Sequence, residues 1–410
     1  MKGFKGFDKG LVCRGKQYKE NTVFEEEAAE ICKSGMHFCE NPFDVLEYYD
    51  LVNTDGSFNE FAEVEALDKC LTDDNKKYCT KKLKIGAKLS FSGFVNACIE
   101  FVFEKTKIEQ TDEEDETVIG SSGDYAQIGS SGDYAQIGSS GDSAKIGSSG
   151  YSAQIGSSGY SAQIGSSGYS AKIGSSGDYA KIGSSGYSAK IGSSGYSAQI
   201  GSSGDSAQIG SSGYSAQIGS SGDSAKIGSS GDYAKIGSSG YSAQIGSSGY
   251  SAQIGSSGDY AKIGSSGYSA QIGSSGYYAK IGSSGDYAQI GSSGDYAQIG
   301  SSGDSAKIGS SGDSAKIGSS GDYTQIGSSG DYAKVTSEGE DSVICCAGHN
   351  SIVRAKKGSW ITLSEWERSL EKDRWIPKCV KTKFVDGEII KADTFYRLEN
   401  GKFVEVKEDK

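Results

Sequence analysis

From Ile119 to Lys334, apolar and polar residues follow a fixed nine-residue pattern, Ile-Gly-Ser-Ser-Gly-(Asp/Tyr)-(Tyr/Ser)-Ala-(Lys/Gln), repeated 24 times without insertion. In every unit one polar residue separates the alanine position from the next isoleucine, as in Ala126-Gln127-Ile128, or, after the last unit, from Val335, and Thr324 is the only replacement of the alanine. Alternation of period two puts both apolar residues on one face of a strand and sends Lys or Gln to the other. The following Gly-Ser-Ser-Gly supplies a turn with two residues that tolerate positive φ. A short strand and a tight turn in every unit predict a parallel β-solenoid. One unit cannot close a coil around a packed interior. Two can, with Ile and Ala interdigitated between facing sheets, so the 24 units make 12 coils; three units per coil would make 8.

The pattern decays on the C-terminal side. Val335, Ile344 and Val353 keep the nine-residue step, and Gly339 and Gly348 keep a turn glycine, which reads as three degenerate units leading into a β-rich cap over 335–410. Trp360, Ile361, Leu363 and Trp366 supply the large apolar residues that the repeat lacks, and Asp386-Gly387 and Asn400-Gly401 are hairpin signals. Residues 1–118 predict one compact α/β head. There Thr22-Val23-Phe24-Glu25 reads as a capping box opening a helix through Cys32, and Asn41-Pro42 caps a second helix over 43–49. Strands are expected over 60–67 and 82–87 and an amphipathic helix over 93–105, before an acidic run, Glu113 to Glu116, at the junction. The fold expected is mainly β, a solenoid over 119–334 between this head and the cap.

Composition sharpens that picture. Only 35% of the chain is apolar, and 48 of its 61 glycines lie in the repeat, against two prolines in all. Collagen needs Gly triplets and abundant proline, and a flexible Gly/Ser linker lacks apolar residues on schedule. No apolar run is long enough to span a membrane, and Met1-Lys2-Gly3-Phe4-Lys5 leads into polar sequence without a signal-peptide core, so the expected location is cytoplasmic. The repeat carries 14 Asp and 11 Lys, and the head has a net charge of −9, which disfavours nucleic acid and anionic membrane as partners.

Few residues offer chemistry. Asp124 stands where calcium-binding β-rolls place a ligand, but Tyr151, Tyr160 and Tyr169 replace it in other units and cannot supply a carboxylate. Nine cysteines without a signal peptide argue against a disulfide framework. Cys32, His37 and Cys39 are close in sequence, but they form no CxxC pair and have no clear fourth ligand, so no metal is assigned. With only His37 and His349 in the chain, His37 is the single candidate base, and no catalytic residue is assigned.

His37 lies in Gly35-Met36-His37-Phe38-Cys39, which leads through a short helix to Tyr48 and Tyr49. This segment resembles the core of poly-ADP-ribosyltransferase-type domains. The resemblance implies that His37 and Tyr48 flank a nicotinamide ring and that Arg14-Gly15 contact the NAD ribose. It also implies a strand at Glu63 to Leu67. The chain departs from that family in having no strand-borne glutamate before the repeats, since Glu100 falls on an expected helix. A ligand-binding or decayed domain is implied rather than an active transferase. Met1 to Lys5, Cys13-Arg14-Gly15, Gly35 to Pro42, the Ser-Gly-Asp-Tyr repeats and Gly358-Ser359-Trp360 together resemble an uncharacterised family of phage and bacterial proteins. That resemblance implies a phage or prophage context.

The resulting expectation is a non-enzymatic structural or binding protein without cofactor. A rigid solenoid displays the head and a repetitive Ser/Tyr/Gln/Lys surface to a protein or repetitive ligand, with homo-oligomer formation left open. Two alternatives stand beside it. One is a head that binds NAD or ADP-ribose, and the other is a solenoid that binds glycan or ice.

Overall fold

The computed structural model describes residues 1–31, 33–51, 59–73, 75–106 and 118–407, so Cys32 and the acidic run at 113–116 lie outside the described residues. Strands hold 47% of the chain and helices 4%, in a parallel β-solenoid of about 14 turns with an N-terminal sheet domain. The chain divides into two compact units, Met1–Ala225 and Lys226–Lys410.

In the first unit, the head comprises β1 (Lys2–Phe7), β2 (Val12–Cys13), β3 (Lys16–Gln17), β4 (Thr22–Glu25), β5 (Met36–Cys39), α1 (Pro42–Val45), β6 (Glu60–Ala66), β7 (Cys70–Leu71), β8 (Lys77–Thr80), β9 (Lys82–Leu89) and α2 (Phe91–Thr106). Seven of the strands form one sheet in the order β4-β9-β6-β1-β5-β8-β7, with β2 and β3 as a separate ribbon. The expected strands at 60–67 and 82–87 are β6 and β9, and the expected C-terminal helix is α2. Asn41 caps α1 by accepting a hydrogen bond from the Phe43 N–H.

The helix expected from Thr22 is a strand instead. Thr22, Val23 and Phe24 favour strands, and they pair with β9 in the register Thr22↔Ile85 and Phe24↔Leu83. The Phe24 ring packs on Tyr18 at 4.8 Å, and the Thr22 hydroxyl binds the Glu20 carbonyl rather than a helix terminus. Tertiary pairing outweighs a local capping signal here.

The solenoid begins at β10 (Val118–Ser121) and β11 (Gln127–Ser130). In the first unit these strands pair in register with the strand two repeats on, as in Gln136↔Gln154 and Lys145↔Gln163, an offset of two repeats per turn. Isoleucine and alanine point inward, with Ile146, Ala144 and Ala153 fully buried. The same strand carries the first glycine outward and the next serine inward.

The glycines depart from expectation. Among the described residues, no repeat glycine has a positive φ. From Gly141 on, where a turn stacks on an earlier one, the second glycine of a unit is instead required by stacking. A Cβ at Gly159 would lie 1.9 Å from the Gly141 carbonyl oxygen, one turn earlier. The first glycine is a strand residue, and at Gly156 or Gly174 a Cβ would meet nothing within 4 Å.

In the second unit the same pairing continues through the degenerate units, Val335 on Ile317, Ile344 on Ile326 and Val353 on Val335. The cap adds an antiparallel pair, Trp360–Ser369 with Arg374–Phe384, and a hairpin, Phe395–Glu399 with Lys402–Val406. Asn400 and Gly401 turn that hairpin with φ of 49° and 68°. Asp386-Gly387 makes a turn but no hairpin. The Asp386 carboxylate accepts the N–H groups of Glu388, Ile389 and Ile390, and the strands on either side belong to different sheets.

Candidate functional site

The head contains a cavity of about 330 Å³ between β1, the β2–β3 ribbon, β5 and the residues after α1. Arg14, His37 and Tyr48, which the sequence places 11 or more residues apart, all line it. Gly15 lies beside Arg14 at the ribbon's tip. Val12↔Gln17 and Cys13↔Lys16 pair, leaving Arg14 and Gly15 as a two-residue turn with φ of 50° and 77°. This tight turn needs left-handed backbone at both positions, and it carries Arg14 to the cavity mouth.

Further residues on the walls went unnoticed in sequence. Lys5 is only 5% exposed and stands on β1 between the buried Gly3 and Phe7. Its ammonium donates to the His37 carbonyl at 2.8 Å and lies 5.5 Å from the Phe7 ring centre and 5.7 Å from that of Tyr18. Burial lowers its pKa below the usual lysine range, Cys13 opposes that shift, and Arg14 adds to it.

Tyr49 donates its phenolic hydrogen to the Cys13 sulfur at 2.8 Å. Its ring rests on β1 because residue 6 is glycine; a Cβ there would lie 2.6 Å from the ring. Burial, then Cys13, pushes the Tyr49 hydroxyl pKa upward. The Lys77 ammonium sits 4.4 Å over the Tyr48 ring.

Glu26 is the only carboxylate among the cavity's lining residues, against Lys5, Arg14, Lys16, Lys33 and Lys77. It is engaged twice, by Lys16 at 2.7 Å and by the Gly35 N–H at 2.9 Å. The Lys16 hydrogen bond is the main cause of its lowered pKa. His37 is also shifted down, by burial first and then by Lys5, Arg14 and Lys77. Cations that hold down the protonation of Lys5 and His37, with the nearby carboxylate already paired, create a site for an anion. The aromatic side chains of Tyr18, Tyr48 and Tyr49 give the same cavity surfaces for a planar group.

A second interface joins head and solenoid within the first unit. Phe91, Val95 and Ile99 on one stripe of α2 rest on the outward glycines Gly183, Gly165 and Gly147 of successive rungs. Beside them Asp44 pairs with Lys145 at 2.5 Å, the Leu46 carbonyl accepts from Lys181, and Asp50 accepts from Gln199 at 2.6 Å.

Along the repeat's corners, Tyr151, Tyr169 and Tyr187 stack on one another with ring centres 5.1 Å apart and planes within 9°. Such stacking covers ring faces and leaves edges outward. Among the described residues no three His, Cys, Asp or Glu side chains are grouped to hold a metal, and no helix is long and apolar enough to cross a membrane.

No curated protein and no solved structure matches the chain. Residues 1–97, which include every described wall of this cavity, match the family model of a domain of unknown function, DUF7666.

Proposed function

We propose that this is a non-enzymatic binding protein whose head captures a small anionic ligand bearing a planar ring, of the NAD or ADP-ribose type, while the solenoid carries the head. The observation that supports this is the convergence of Lys5, Arg14, Lys77, His37 and Tyr48 on one cavity whose single carboxylate is already paired. Arg14 offers a planar fork for phosphate oxygens, and Tyr48, backed by Lys77, offers a ring face. The phage-like motifs set this binding role in a bacterial cytoplasm, with the repeat as scaffold.

Calorimetry of the full chain with ADP-ribose, NAD and inorganic pyrophosphate tests the reading. Heat is expected with NAD or ADP-ribose and competition by pyrophosphate, and Arg14→Gln and Tyr48→Ala should each weaken binding about tenfold. Absence of heat with all three overturns it.

A further inference from the structure

Cys13, a buried thiol, stands on the cavity wall, and its sulfur accepts the Tyr49 O–H at 2.8 Å. Lys5 stands on the same wall. The Lys5 ammonium gives one N–H to the His37 carbonyl, and no carboxylate pairs with it among the described residues. An ammonium so deeply buried is costly without a counter-charge. Two groups can supply one here, a thiolate at residue 13 or an anion in the cavity.

We propose that Cys13 is a thiol–disulfide exchange site for small anionic disulfides. Lys5 and Tyr49 meet the charge on its sulfur while Arg14 and Lys77 attract the reagent's anionic groups. The choice of reagent rests on the anion-binding reading of the cavity. The Cys13 thiol releases its proton to solvent, and the thiolate sulfur attacks one sulfur of the disulfide. That S–S bond breaks, a mixed disulfide forms on Cys13, and the other half departs as a thiolate. The incoming disulfide is the oxidant, so no further reagent is needed.

The test treats the full chain with dithiobis(nitrobenzoate), a dianionic disulfide, and dithiodipyridine, a neutral one, and follows each cysteine by peptide mapping. Cys345, an exposed thiol, is the internal reference. Cys13 is expected to prefer the anionic reagent by about tenfold more than Cys345 does. Lys5→Met should remove most of that preference, and Tyr49→Phe, which keeps the ring, should slow Cys13 with both reagents. Equal preference at the two cysteines, or no effect of Lys5→Met in a folded protein, overturns the proposal. If pyrophosphate binds the cavity and Cys13 stays unmodified, the thiol proposal falls and the binding reading survives. If Cys13 shows the preference but pyrophosphate, NAD and ADP-ribose neither bind nor protect it, the binding reading falls and the exchange site survives.

Discussion

Asp44 and Lys145, 101 residues apart in sequence, form a 2.5 Å ion pair whose side chains are only 7% and 15% exposed. One belongs to a four-residue helix of the head and the other to the third repeat unit, so the pair ties the two together.

Lys145→Gln should therefore cost more than its chemistry suggests. Glutamine occupies the same place in many units, so the strand itself tolerates it; the loss comes from leaving the Asp44 carboxylate buried without its partner. Urea denaturation should show a loss of about 3 kcal/mol. Lys172→Gln changes an exposed lysine on the opposite sheet and should stay within about 0.5 kcal/mol. Equal effects would mean that the pair does not hold the head.

The two glycines of one unit should respond in opposite ways. A Cβ at Gly267 would lie 1.9 Å from the Gly249 carbonyl, whereas one at Gly264 would meet nothing within 4 Å. Gly267→Ala should push the stacked turns apart and destabilise by several kcal/mol, on the order of a buried steric clash. Gly264→Ala should be neutral or stabilising by about 0.5 kcal/mol, because alanine loses less backbone entropy on folding. Melting temperatures of the two variants decide it.

Glycines equivalent in the repeat should also differ by what covers them. A Cβ at Gly147 would come within 3.2 Å of the Ile99 backbone, while Gly156 on the other sheet is open. Gly147→Ala should loosen α2, seen as faster hydrogen exchange of its amides, and Gly156→Ala should leave that exchange unchanged.

His37 predicts a pH dependence with a definite sign. Its pKa is held below the ordinary 6.5 in the folded head, by burial first and by Lys5, Arg14 and Lys77 after it. The unfolded chain therefore binds this proton more readily. Stability is full above 6.5 and falls as the pH drops through the window below it. Glu26, held below its ordinary 4.5, acts only in a more acidic range. Urea midpoints measured across the histidine window should slope for the native chain and flatten for His37→Gln. An anion in the cavity relieves the repulsion, so ligand binding should tighten over the same fall in pH and take up a proton. Calorimetry in buffers of different ionisation heat measures that uptake.

Much of the solenoid was legible because its information is local. Ala-x-Ile alternation and the nine-residue step place the strands, and two such strands are the least that can enclose a dry interior. The decay of that step at Val335, Ile344 and Val353 likewise continues as paired rungs. The glycines were only partly legible. Their spacing marks each unit, but positive φ and carbonyl crowding leave the same mark in a sequence, and only stacked turns separate them. At Thr22 a local helix signal lost to pairing with β9, a partner some 60 residues away.

The head's cavity was the least readable feature. Arg14, His37 and Tyr48 could be named from short motifs, yet nothing local shows that Lys5 is buried beside Cys13, or that Glu26 is occupied by Lys16 and Gly35. Periodicity determined the solenoid because each strand repeats the requirement of the one before it. Burial, counter-charge and the seat of α2 on the glycine rows were decided by tertiary structure, because they depend on which distant side chains exclude water from the same place.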